Sequence, residues 1–146
     1  MLLIAIDFDH TIVNGQTHMK IMLSKETDKD RQCDQIKNFQ VIGEQNEWKH
    51  IFETLIKEGH AVCIVSFNNY GHTIPRFLEE KVGLSHEEVE KIKVVSWLPK
   101  HPKTANKNQH LRQAKKIMNF HGKNSQVILI DDSKNNLEVA RKKNIR

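Results

Sequence analysis

Hydrophobic and polar positions organise this chain at the scale of whole elements. Four short apolar runs stand out: Leu2–Ile6, Ala61–Val65, Val94–Val95 with its flanks, and Val127–Ile130. They are rich in Ile and Val and show no polar alternation, which suits strands covered on both faces of a parallel sheet. Between them the apolar spacing lengthens towards 3.6 residues, the period of a helix with one buried face. Trp48, Ile51, Phe52, Leu55 and Ile56 form one such stripe, Leu111, Ala114, Ile117 and Met118 another, and Leu137 and Ala140, with Val139, a third. Gly59, Gly83 and Gly122 each come just after a helical pattern, where a left-handed residue closes the last turn. Ser85 with Glu88 makes a capping box for a short helix through Ile92, and Ser133 is suited to cap the last helix. Strand and helix in alternation predict an α/β domain with a parallel sheet and right-handed crossovers.

Two stretches depart from this rhythm. Residues 13–43 are polar and weakly periodic, with Asp28, Asp30 and Asp34 among them. They lack the Gly and terminal Glu of a calcium loop, and so read as a flap or small insert over one end of the sheet. Residues Asn144–Arg146 fall where a fifth strand would begin, which leaves room for the native chain to continue past Arg146.

Composition narrows the class. A chain of 146 residues is the size of one domain, and buries roughly 68–70% of its unfolded surface without help from a disulfide or structural metal. No apolar stretch nears the roughly 20 residues of a membrane span. The opening run Met1–Ile6 has no basic lead or small-residue cleavage site and runs into Asp7, as a buried strand would and a signal peptide would not. Cys33 and Cys63 make no metal or redox pattern, and Cys63 reads as core. A reducing, cytoplasmic setting is expected. The net charge of +5 favours acidic partners. Its Lys and Arg are scattered, however, with no stripe interleaved with aromatics of the kind nucleic acid selects.

The chemistry lies at the strand ends, because ligands of open α/β sheets bind beyond the carboxyl ends of the strands. The four runs end, in chain order, on Asp7-Phe8-Asp9-His10-Thr11, Ser66-Phe67-Asn68, Ser96-Trp97 and Asp131-Asp132-Ser133. Four carboxylates on one rim repel by about 4 kcal/mol per pair at ~4 Å and an effective dielectric near 20, so the cluster calls for a cation. Oxygen ligands without His or Cys point to Mg²⁺. Such a cation beside a free carboxylate is suited to phosphoryl transfer. Strand alternation turns Asp7 and Asp9 to one side and Phe8 to the other.

These residues resemble the haloacid dehalogenase superfamily. Its first motif, DxDx(T/V), matches Asp7-Phe8-Asp9-His10-Thr11; its second matches Ser66 at the end of a strand; its fourth matches Asp131-Asp132-Ser133 with Asn136. The resemblance spans almost the whole chain and implies a Rossmann-like fold and a phosphatase. Asp7 would be the nucleophile that becomes an aspartyl phosphate, Asp9 the acid and base, and Ser66 a phosphate ligand. Asp7, the Asp9 carbonyl and Asp132 would hold Mg²⁺ directly, and Asp131 through water. The third motif is a lysine that steadies the phosphate: Lys107, or failing it Lys103. Thr11, Ser66, Phe67, Asn68 and Lys107 would meet the substrate. With only residues 13–43 and a short loop before Lys107 as inserts, the resemblance is to the capless branch, whose open site receives phosphates carried on macromolecules. Phe67, Tyr70 and Trp97 on the same rim would stack on a flat leaving group. A phosphoprotein, phosphotyrosine in particular, is the first substrate expectation, and the end of a nucleic-acid strand or a small metabolite the alternative. A signalling receiver domain is the rival of another class, but its acceptor Asp would end the third strand, where Ser96-Trp97 stands. A catalytically inactive binding module is the remaining one, and the filled motif positions argue against it.

Overall fold

The computed structural model describes residues 1–101 and 104–146. The apolar runs form β1 (Leu3–Ile6), β2 (Ala61–Ser66), β3 (Lys93–Ser96) and β4 (Val127–Ile130), all parallel, in the order β3-β2-β1-β4. The helices are α1 (Thr17–Ser24), α2 (Lys29–Asp34), α3 (Gln45–Lys57), α4 (Ile74–Phe77), α5 (His86–Lys91), α6 (Asn108–Ile117) and α7 (Lys134–Arg141). A 3₁₀ turn at Gly71–Thr73 leads into α4, and a π turn at Leu78–Val82 continues it. No described helix is long and apolar enough to cross a membrane.

Alternation along β1 sorts its side chains between two cores. Ile4 and Ile6 join Phe8, Phe52, Ile64 and Phe77 on one face, while Leu3 and Ala5 join Val65, Leu111, Ala114 and Leu129 on the other. Helix α3 packs on β2 from the first side, and α6 on β2 and β3 from the second. Residues 13–43 fold into α1 and α2 and contribute Ile21 and Ile36 to the first of these cores. Val13 forms isolated bridges to Asp9 and Val41, so the two ends of the segment meet just past the end of β1.

Most of the helix punctuation is where the residue types demand it. Ser85 and Glu88 form the reciprocal capping box of α5, Ser133 caps α7 by accepting the Asn136 amide, and Gly59 and Gly83 are left-handed at φ +80° and +88°. Gly122 departs from expectation. Asn119 takes the left-handed position after α6 at φ +51°, a conformation its short polar side chain tolerates. Gly122 instead sits where a Cβ would stand 2.5 Å from the Phe120 ring. Ile51 and Ile117 lie at the margins of their stripes and are 40% and 41% exposed. At the outer side of β4, the Arg146 amide donates to the Val127 carbonyl and its carbonyl accepts from Leu129, at 2.9 and 2.6 Å.

Candidate active site

The strand order reverses at β1, with β2 and β3 on one side and β4 on the other, and such a switch point opens a crevice at the carboxyl ends. Register then places the first two acids. Ile6 is paired with Ile130, so Asp7 and Asp131 leave adjacent strands side by side, and the Asp7 amide donates to the Ile130 carbonyl at 2.8 Å. Asp7 has the parity of Leu3 and Ala5, which turns it towards α6, while Phe8 enters the opposite core. Helix α6 begins just after Lys107.

Lys107 is 2% exposed. Its ammonium donates to Asp7 Oδ1 at 2.9 Å, Asp131 Oδ2 at 2.9 Å and the Val65 carbonyl at 2.8 Å, which uses all three of its protons. It also lies 4.9 Å from the centroid of the Phe67 ring, within cation–π range. Asp131 is fully committed: Oδ2 accepts from Asn136 Nδ2 at 3.1 Å as well, and Oδ1 accepts from the Ser133 amide at 2.8 Å. Asp132 is exposed. The Thr11 hydroxyl donates to Asp7 Oδ2 at 3.0 Å and lies 3.5 Å from Asp132 Oδ1, so it bridges the two.

Oxygens of Asp7, Asp131 and Asp132 lie within 4.8 Å of one another. Burial pushes the Asp7 carboxyl up to about 7, with Lys107 opposing and Asp131 adding to the rise. One ammonium shared by two buried carboxylates, with a third beside them, leaves negative charge that a divalent cation would balance. The donors fit a hard ion, being oxygens alone. Asp7 and Asp132 carry the less committed oxygens and would hold it. Saturating Mg²⁺ is therefore expected to raise the melting temperature by about 5–10 °C. EDTA should reverse the gain and Asp132→Asn should remove most of it in a thermal-shift assay. A wild-type chain indifferent to Mg²⁺ would contradict this charge balance.

Asp9 lines the same cavity, of about 440 Å³, but its carboxylate is turned to the start of α1. Oδ1 accepts from the Thr17 amide at 3.1 Å and the Thr17 hydroxyl at 2.5 Å, and Oδ2 accepts from the His18 amide at 3.3 Å. The positive end of the helix favours an anion there. Ser66, Phe67, Asp131 and Asp132 line the cavity with Asp7 and Lys107, as their place at the strand ends predicts.

Other expectations are corrected. Asn68 is wholly buried and faces inward. Its Nδ2 donates to the Thr17 hydroxyl at 3.3 Å and its Oδ1 accepts from the Tyr70 amide at 2.6 Å. It braces the residue that holds Asp9 and does not line the cavity. Tyr70 packs on the core with its ring 5.2 Å from that of His18. Trp97 leaves β3, two strands and therefore about 10 Å from β1. It stacks on His110 at 3.7 Å and lines a second cavity of about 550 Å³ with Lys100 and Arg112, which shares only Ala105 with the first. Of the three expected rim aromatics, only Phe67 is at the site. Lys103 lies outside the described residues.

Sequence reasoning misses Gln16, His18 and Met19, which line the cavity from the insert. Their only advance signal is the expected place of residues 13–43 above the rim, since no spacing marks them individually. It also misses His110. Burial lowers the pKa of this histidine to about 4 from 6.5, and its Nε2 meets the Trp97 carbonyl at 3.1 Å. Because the unfolded chain takes up a proton here that the folded one refuses, this group makes stability fall as pH drops from about 6.5 towards 4. His110→Phe should flatten that part of the urea-unfolding pH profile; an unchanged slope would show that His110 does not cause it.

No family model matches the chain, and no curated protein is matched by it. Two solved structures are similar across nearly all of it. One, a phospho-aspartyl intermediate analogue of a phosphoserine phosphatase, has a TM-score of 0.60 at 17% identity, covering 98% of this chain and 83% of that one. The other, a phosphoserine phosphatase in apo form, has a TM-score of 0.61 at 18% identity, covering 99% and 84%. The chain shares their fold, the Rossmann-like fold of haloacid dehalogenase-type phosphatases.

Proposed function

We propose that this protein is a Mg²⁺-dependent phosphatase that cleaves phosphomonoesters through an aspartyl phosphate on Asp7. The observation that carries the proposal is Asp7 itself. It is a nearly buried carboxylate held by Lys107 between a committed acid, Asp131, and an exposed one, Asp132. Burial keeps such a carboxylate costly to ionise even beside Lys107, and a carboxyl perturbed in this way in a cleft marks a candidate for chemistry or ion binding.

In the proposed reaction an Asp7 oxygen attacks phosphorus, and the bond from phosphorus to the ester oxygen breaks. Asp9 gives that oxygen its proton, then takes one from the water that attacks the aspartyl phosphate, and inorganic phosphate leaves as the Asp7 carboxylate re-forms. To do so Asp9 turns from Thr17 towards the cavity by side-chain rotation. Lys107, with Ser66 at the second strand end, would neutralise charge on the phosphoryl oxygens. A bound Mg²⁺ would supply further neutralisation and would orient the phosphate.

The cavity is flanked by a small insert, which supports a phosphate presented on a macromolecule, and Phe67 gives a flat leaving group one ring to meet. A phosphoprotein, phosphotyrosine in particular, is the first substrate reading. The second cavity, with Lys100 and Arg112, favours the end of a nucleic-acid strand as the second. A hydrolysis panel of phosphotyrosine and phosphoserine peptides, nucleotides, sugar phosphates and 3′- or 5′-phosphorylated oligonucleotides, with Mg²⁺ and with EDTA, tests both. Turnover in Mg²⁺ alone is expected; a panel without any turnover rejects the phosphatase.

A further inference from the structure

The side chain of His18 is unclaimed by the chemistry above, yet it sits in the same cavity. It is 8% exposed and lines the wall beside Asp9. Its Nδ1 lies 3.2 Å from the Asn69 amide nitrogen. A backbone amide can only donate, so Nδ1 must accept, and the neutral ring carries its proton on Nε2. Among the described residues Nε2 makes no hydrogen bond, and it is not one of the fully buried side-chain atoms that lack a partner. The little surface this histidine keeps therefore includes an N–H without a protein acceptor. The main chain of the same residue touches Asp9, donating to Oδ2 at 3.3 Å.

We propose that His18 is a further catalytic residue, donating its Nε2–H to the bridging ester oxygen of the substrate, the oxygen that Asp9 protonates. The inference rests on the phosphatase reading. That oxygen gains negative charge as its bond to phosphorus lengthens, and a donor on the cavity wall that reaches it would stabilise the transition state more than the bound substrate. It has lone pairs for both partners. Asn69 holds the ring in the required tautomer, much as the second nitrogen of a functional histidine is usually held.

Three substitutions separate this role from a structural one. His18→Gln places an amide N–H near the position of Nε2, whereas His18→Asn keeps an acceptor near Nδ1 for Asn69 and loses the outer donor. His18→Phe loses both. With a phosphoserine peptide and Mg²⁺, kcat is expected to fall at least about tenfold in the Asn and Phe variants, and Gln should restore most of it. The loss should be smaller with p-nitrophenyl phosphate, whose leaving oxygen needs less stabilisation. Recovery by Asn but not by Gln, or equal losses for the two esters, would overturn the assignment while leaving the phosphatase standing. If the wild-type chain turns over neither ester, it is the phosphatase reading that fails, and the role of His18 with it.

Discussion

Asp7→Asn is expected to abolish Mg²⁺-dependent turnover, by at least about three orders of magnitude, while the protein stays folded. An amide of the same shape offers no nucleophilic oxygen, and in the resting site neither Asp131 nor Asp9 stands in its place. Asp131 is tied to Lys107, Asn136 and the Ser133 amide, and Asp9 is turned to α1. Stability should move the opposite way. The Asp7 carboxyl titrates near 7 in the fold, against an ordinary value of 3.8. The folded protein thus holds a proton that the unfolded chain releases between those values, and this contribution to stability is lost as pH rises through about 7. In Asn the penalty is absent, so the metal-free variant should melt no lower than wild type at pH 8, and the advantage should vanish near pH 4. Hydrolysis assays paired with melting curves at both pH values check this. Retained turnover would remove Asp7 from the nucleophile's role; an unfolded variant would mean that the carboxylate is structural.

Lys107→Met should be the most damaging change to the fold among the site residues, and nearly as damaging to activity. Its ammonium is the shared partner of two carboxylates that are 9% and 1% exposed. Breaking such a buried arrangement by removing one partner costs about 3–5 kcal/mol. Saturating Mg²⁺ should recover part of that stability, because it addresses the same excess charge. It should not recover turnover, which is expected to stay down by about 10²–10³ in kcat for want of the ammonium proposed to neutralise the phosphoryl oxygens. Arg is no substitute, since its planar fork cannot reproduce contacts of 2.8 to 2.9 Å to three diverging oxygens. Urea titrations with and without Mg²⁺, run beside single-turnover assays, measure both effects. A Met variant of wild-type stability would show that the three-way contact is not what holds the two acids in place.

The parts of the site visible in the sequence are those dictated by position along the chain. Asp7 and Asp131 each end an apolar run, and the ends of parallel strands share one rim, so the sequence puts both on that rim; that they stand side by side follows from β1 and β4 being neighbours. Ser66 is placed by the same rule. Lys107 was separable from Lys103 because it directly precedes the helical stripe of α6, and helix starts and strand ends face the same crevice in such sheets. The α5 capping box and the Ser133 cap were visible because capping depends on residues three apart.

Everything that needed a distance between elements, or the direction of a side chain in a loop, came from the tertiary structure. Trp97 and Phe67 come after strands of similar pattern, but β3 is the sheet edge, and strand order alone separates Trp97 from the acids. Asn68 is the next residue after Phe67, yet its amide turns inward to Thr17 and Tyr70, a choice made by partners on other segments. The carboxylate of Asp9 rests on α1 and the ring of His18 is held by Asn69, contacts that join separate segments and leave no periodic trace. Hydrophobic period and capping are local, and the sequence carries them openly. Lateral strand order and side-chain direction are settled by long-range packing and by the pairing of buried polar groups across segments, and only the folded chain makes that choice.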